Sequence, residues 1–171
     1  MTHILETDRL ILRQPKAADF GPFKAFATAG GLKHIYGDVT DGQVFRSFAT
    51  ELGHWDMRGF GMWAVTEKND DTAIGLVGPW FPDDWPETEI GWMIFGNSEG
   101  KGVAYEAAFA ARHDAYTRLG WDTVVSYIAP ENIRSIKLAE RLGAVHDPKA
   151  KKPKEDEPCL IYRHPAPGGL L

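Results

Sequence analysis

The chain has 171 residues, 43% of them hydrophobic, a formal net charge of -5 and one cysteine, Cys159. This apolar content can fill a core and excludes a disordered chain, and the length predicts a single domain over 1–171 with 165–171 as a frayed tail. The acidic balance speaks against nucleic acid or an anionic membrane as the main partner, no apolar run approaches the roughly 20 residues of a membrane helix, and a lone cysteine allows no internal disulfide.

Leu10-Ile11-Leu12-Arg13 is a β-prone run that ends before Pro15. Asp19 then opens a helix through Phe20, Phe23, Phe26 and Ala27, spaced by three and four residues, and Gly30-Gly31 ends it. Asp41 is the expected cap of a second helix, with Val44, Phe45, Phe48, Leu52 and Trp55 as its apolar stripe. Three strands follow as a meander: Phe60 to Glu67, Thr72 to Trp80 beyond the polar turn Asn69-Asp70-Asp71, and Thr88 to Phe95 beyond the loop Phe81 to Pro86. The longest helix runs from about Gly100 to Leu119, and Ala104, Ala107, Ala108, Ala111, Ala115 and Leu119 form its buried face. So many alanines on one face imply close approach to a sheet. Thr123 to Ile128 is a strand. Pro130-Glu131-Asn132 leads into a helix with Ser135, Leu138, Ala139 and Leu142 on one face, and Pro158 to His164 is a final strand. The order predicts a mixed α/β layer with helices packed on a sheet.

Six histidines are scattered without ligand spacing, so no metal is expected. The opening Met1 to Glu6 lacks the basic and long apolar parts of a signal peptide, which points to a cytoplasmic location. Exposed edge strands leave a homodimer open.

The most informative segment is Glu89 to Ala104. It reads as strand, glycine-bearing turn and helix start, with Gly100 and Gly102 flanking the helix entrance. Backbone N–H groups there lack intrahelical partners, and the helix dipole adds positive charge. The chemistry is capture of a phosphate-bearing ligand by backbone. Two common phosphate motifs fail. A P-loop would need Gly96 one residue earlier and a hydroxyl at Gly102, and a dinucleotide fingerprint would need glycine at Tyr105.

The segment from Glu89 to Ala144 resembles the core of the GNAT superfamily of acyl-CoA-dependent N-acyltransferases. The family loop Gln/Arg-x-x-Gly-x-Gly/Ala corresponds to Asn97-Ser98-Glu99-Gly100-Lys101-Gly102, with Asn97 where Gln or Arg is usual. Glu131-Asn132-Ile133-Arg134-Ser135 through Gly143-Ala144 is similar to the family's Glu-Asn-x-x-Ser-x-x-Leu-x-Glu-x-x-Gly segment. The opening Glu6 to Arg13 resembles a branch whose members acetylate N-terminal amines of ribosomal proteins. The resemblance implies a mostly antiparallel, twisted sheet that splays between its fourth and fifth strands, with helices on both faces. It implies acetyl-CoA as co-substrate and direct attack by a primary amine while both substrates are bound.

By the same resemblance, the amides of Gly100, Gly102, Val103 and Ala104 face the CoA pyrophosphate, and Lys101 and Asn97 flank them. The backbone of Met93, Ile94 and Phe95 pairs with the pantetheine arm and polarises the thioester oxygen. Asn132 hydrogen-bonds pantetheine, although an Asn in this place is also a preferred helix cap. Ser135 meets the departing thiolate, with water as the other proton source, because Ala139 stands where many relatives carry a tyrosine. Glu89, 11 residues before Gly100, is the expected base; His34, His54 and His113 are alternatives. The aromatic and acidic loop Trp80 to Glu87 suits a cationic amine. The acceptor points to a protein N-terminal amine by branch. A small amine such as a polyamine or aminoglycoside, or a non-catalytic acyl-CoA-binding module, are the alternatives.

Overall fold

A computed structural model describes residues 3–169. Its centre is an eight-stranded sheet in the order β1-β2-β3-β4-β5-β6-β8-β7. The strands are β1 (Leu5–Glu6), β2 (Leu10–Arg13), β3 (Trp63–Glu67), β4 (Asp70–Trp80), β5 (Glu89–Ile94), β6 (Val125–Ile128), β7 (Val145–His146) and β8 (Leu160–Arg163). Every pairing is antiparallel except β5 with β6. The helices are α1 (Phe20–Thr28), α2 (Lys33–Tyr36), α3 (Asp41–Arg58), α4 (Val103–Thr117) and α5 (Ile133–Arg141).

Strand alternation divides the core between the two faces. Trp63, Val65, Val77, Ile90 and Ile94 point to one face and pack on the alanines of α4. Ala64, Leu76 and Met93 point to the other and pack on Phe23 of α1 and Val44 and Phe48 of α3. Ala107, Ala108, Ala111 and Ala115 are fully buried, so the small side chains let α4 lie close on the strands. The mixed α/β sheet with helices on both faces is as expected.

The parallel pair β5–β6 is joined only at Glu89 opposite Val125, after which the strands part. The gap falls between the expected fourth and fifth strands; the short β1, unforeseen in the sequence, shifts the numbering by one. Several boundaries also move. Thr40, not Asp41, caps α3, accepting from the Gln43 N–H while the Gln43 side chain accepts from the Thr40 N–H. Phe45 is exposed instead of joining the stripe. Asp19 does not cap α1 with its side chain, because its carboxylate is buried against the Arg13 guanidinium at 2.8 Å. In the tail, the Pro165 carbonyl accepts from the Tyr116 hydroxyl at 2.7 Å and Pro167–Gly169 form a 3-10 turn; residues 170 and 171 lie outside the described residues.

Candidate active site

The parting of β5 from β6 opens a cleft of about 1090 Å³. Of the site residues expected from the sequence, all but Lys101 line it. Lys101 is exposed outside the lining, and Arg9 Nη1 holds its carbonyl at 3.0 Å. The cations that do line the cleft are Arg134, paired with Glu99, Arg141, which lies 4.9 Å over the Tyr105 ring, and Lys154, paired with Glu157. A smaller hollow of about 310 Å³ lies elsewhere, beside Asp19 and Asp71, whose carboxylates already pair with Arg13.

At one end of the cleft, the turn before α4 is built by left-handed glycines. Gly100 has φ +74° and Gly102 has φ +78°, a conformation that side-chain-bearing residues adopt only with strain. Gly102 is the N-cap of α4 and offers no side-chain acceptor. The first intrahelical bond runs from the Glu106 N–H to the Gly102 carbonyl at 3.1 Å. The N–H groups of Val103, Ala104 and Tyr105 therefore have no intrahelical acceptor, and with the dipole they make an anion cradle. Arg9 braces this end: Glu106 accepts from its N–H at 3.0 Å and its Nε at 2.7 Å, and from the Thr7 hydroxyl at 2.6 Å.

Along β5 the antiparallel ladder decides which backbone groups are open. The Phe95 N–H donates to the Ile74 carbonyl at 2.8 Å, towards β4. Alternation then turns Met93 towards β4 as well, and turns Trp92 and Ile94 towards the gap. Of the three residues expected to offer backbone there, Ile94 does so; Met93 and Phe95 are occupied by β4, and Trp92 takes their place. The side chains of Met93, Ile94 and Phe95 are core.

Across the gap, Asn132 caps α5: its Oδ1 accepts from the Ser135 N–H at 3.2 Å. That leaves its side-chain NH2 as the group it can offer a ligand. The Ser135 Oγ accepts from Trp92 Nε1 at 3.0 Å, so its own proton remains to be donated. Ala139, one turn beyond Ser135, is fully buried against Ile128, Ala144 and Tyr162 and does not itself line the cleft.

At the other end stands Glu89. Its carboxylate accepts from Trp85 Nε1 at 2.7 Å and from the Tyr127 N–H at 3.4 Å. Burial pushes its pKa up to about 7, and the two hydrogen bonds offset only part of that shift. A carboxylate near pKa 7 is matched to proton transfer at neutral pH. Tyr127, unforeseen in the sequence, lines the same end; its hydroxyl is buried without a partner among the described residues, and burial beside Glu89 and Glu87 raises it well above the usual phenol range. The histidine alternatives do not compete with Glu89. His54 Nδ1 donates to the Phe60 carbonyl at 2.7 Å, and its Nε2 accepts from the Phe81 N–H at 3.0 Å, which occupies both nitrogens. His113 is exposed on α4, and His34 sits at the cleft rim 3.8 Å from the Glu131 carboxylate.

A second carboxylate also lines this end. Glu51 is 4% exposed, and its Oε2 has no hydrogen-bond partner among the described residues. Burial and the neighbouring Glu89 charge push its pKa up to about 8. The sequence held a signal for it: Val44, Phe48, Glu51 and Trp55 fall at four-three-four spacing, so an acid occupies an apolar register of α3.

The gap itself is propped by buried polar groups. Arg112 Nη1 donates to the Leu142 carbonyl at 2.7 Å and to His164 Nδ1 at 2.9 Å. His164 Nε2 therefore carries the proton and donates to Ser126 Oγ at 2.9 Å, which donates to the Ile90 carbonyl at 2.6 Å. Burial and the Arg112 cation push His164 down to about 3, so the imidazole is neutral. Ile90 is the residue beyond the β5–β6 bridge, so this chain of bonds crosses the gap where it opens.

Among the described residues no group of three or more potential ligands forms a metal site, and no helix is long and apolar enough to cross a membrane. Comparison with known proteins agrees with this architecture. A crystal structure of an acetyltransferase from Agrobacterium tumefaciens superposes with a TM-score of 0.88 at 32% identity, over 96% of this chain and 95% of that one. The protein YkkB of Bacillus subtilis (strain 168) is 28% identical over 168 residues, 92% of this chain and 93% of its own. A ribosomal-protein-S5-alanine acetyltransferase from Vibrio fischeri shares the fold, with a TM-score of 0.72 at 16% identity over 99% of this chain and 100% of that one. The acetyltransferase (GNAT) domain profile matches residues 9–145, so the chain belongs to the GNAT acetyltransferase family, whose reaction is acetyl transfer from acetyl-CoA.

Proposed function

We propose that this protein is an N-acetyltransferase that passes the acetyl group of acetyl-CoA directly to a primary amine, with both substrates bound. The observation that carries this reading is a single cleft with an anion cradle at one end and the desolvated Glu89 at the other, joined by the open edge of β5.

The residues present fit acetyl-CoA as substrate. A pyrophosphate would meet the N–H groups at the start of α4, and the absence of side chains at Gly100 and Gly102 allows close approach. Trp92 and Ile94 would pair with the pantetheine amides as an added strand does, and Asn132 would donate to the same arm. A backbone N–H of β5 facing the gap would also polarise the thioester oxygen. Glu89 takes a proton from the incoming ammonium, which needs a base because an α-amine titrates near 8 and a lysine near 10.4. Ser135 donates its hydroxyl hydrogen bond to the departing thiolate, and Trp92 holds the Ser135 oxygen in place for it.

Branch resemblance speaks for a protein N-terminal amine as acceptor, but likeness to the S5-alanine enzyme at 16% identity carries the fold and not the substrate. A cationic amine in general is favoured by the acids and tryptophans at the Glu89 end. The lone cysteine suits the reducing cytoplasm. The short outer strands β1 and β7 leave unpaired edges that a homodimer could use.

Isothermal titration with acetyl-CoA, using ATP as control, tests the first half of this reading. Saturable binding of acetyl-CoA and not ATP is expected. Thiol release in an amine screen tests the second half. Binding without release from any amine would leave the non-catalytic acyl-CoA-binding module in its place.

A further inference from the structure

We propose that Glu51 and Glu89 form a two-carboxylate acceptor subsite for a compact diamine: the amine at Glu89 is acetylated while the second ammonium stays on Glu51. The inference rests on the acetyl-transfer reading and narrows its acceptor class.

Four observations carry it. Both carboxylates line the same end of one cleft. Glu51 is 4% exposed with an oxygen that has no partner among the described residues, although a buried carboxylate in a finished core is ion-paired or hydrogen-bonded. None of the ion pairs among the described residues involves either acid. The cation Lys154 lines the same cleft, but it is exposed and already donates to Glu157 Oε1 at 2.9 Å. The walls are Trp80, Trp85 and Tyr36, whose rings can cover methylenes and attract ammonium groups.

The charge count then selects the ligand. Two desolvated carboxylates repel, and each raises the cost of ionising the other. A monoamine would neutralise one and leave the other protonated or unpaired. A diamine supplies a cation to each. A compact one is required, because both acids lie at one end of the cleft.

The transfer balances without another reactant. The reacting ammonium has three protons: Glu89 receives one, the departing sulfur receives one, and the amide keeps the third. The N–C bond forms as the C–S bond breaks, and the sulfur leaves with the electron pair. The second ammonium is unchanged.

The test compares diaminobutane with butylamine as acceptors by thiol release, and measures diaminobutane binding by calorimetry, in wild type and in Glu51→Gln. A charge-assisted contact predicts a wild-type kcat/KM ratio of about 10–100 in favour of the diamine. Glu51→Gln brings this ratio to within about threefold of one, mainly through KM, while acetyl-CoA affinity holds. Equal kcat/KM for the two amines in wild type overturns the subsite, and that measurement needs no variant. A ratio unaltered in Glu51→Gln overturns it also. Diamine binding that weakens at least tenfold in Glu51→Gln, with no thiol release from any amine, upholds the subsite and overturns the transfer reading instead.

Discussion

At the Ile94 end of β5 the groups turned to the cleft are backbone, whereas at the Glu89 end they are side chains. The first end needs three conformations: two left-handed glycines, an uncapped helix start and a strand with no neighbour on one side. The second end draws Glu51 from α3, Trp80 from β4, Trp85 from the following loop, Glu89 from β5 and Tyr127 from β6. Backbone recognition suits a ligand part that is the same in every reaction. It tolerates side-chain change. Side-chain recognition suits the part that differs, and each change there alters charge or shape directly.

Substitutions can separate the two ends. The largest effect is expected from Glu89→Gln. Loss of a general base costs about 10²–10⁴ in turnover, while acetyl-CoA binding by calorimetry stays within about twofold. In wild type, kcat/KM should rise through pH 7 as Glu89 ionises. An equal loss of acetyl-CoA affinity would break the separation.

Gly102→Val should do the reverse. A β-carbon at φ +78° strains the backbone by about 1–2 kcal/mol, and it would stand 3.4 Å from Arg9 Nη2. The Kd for acetyl-CoA is expected to rise about tenfold or more, because 1.4 kcal/mol is a factor of ten. A Kd that does not move would remove the cradle from the site.

Ser135→Ala, between the two ends, should lower kcat by about 10–100-fold with little change in acetyl-CoA KM, the cost of a hydrogen bond to a charged group. Unchanged kcat would assign the thiolate proton to water.

The smallest effect is on stability. Glu51 and Glu89 hold protons in the folded state well above their ordinary value of 4.5, so they lower stability as pH rises from about 4.5 to 7 or 8. His164 has the opposite sign: the unfolded chain binds its proton below about 6.5 and the folded one only near 3, so it raises stability over that range. Glu51→Gln should therefore gain in Tm relative to wild type between pH 5 and 8, by on the order of 2–4 °C for each kcal/mol relieved. A constant difference across pH would mean that Glu51 is ionised as easily in the fold as outside it.

Legibility in the sequence followed the same division. The cradle was readable because its requirement is local: Gly100, Gly102 and the alanines of α4 are neighbours in the chain, and each has a conformational or steric reason to be small. The position of Glu89 at the far end of the cleft was readable from its place on the strand that feeds the turn. Lys101 misled because a lysine beside a phosphate turn looks useful, yet its side chain lies outside the cleft lining and Arg9, 92 residues away, holds that segment. Met93 and Phe95 misled because a strand has two hydrogen-bonding edges, and only the register against β4 tells which residues use which.

The order of the major elements, the mixed α/β class, the glycine turn and the spacing of Asn132 and Ser135 follow from the sequence alone, whereas the short β1, α2 and β7 do not. Those that do depend on contacts within about a dozen residues. Glu51 stands with Glu89, Trp92 holds Ser135, and Arg112, His164 and Ser126 bridge to Ile90 only because the fold brings them together. These groups come from separate elements, and what makes each of them chemically distinctive is burial. An acid is unremarkable in a helix until its neighbours remove the water from around it.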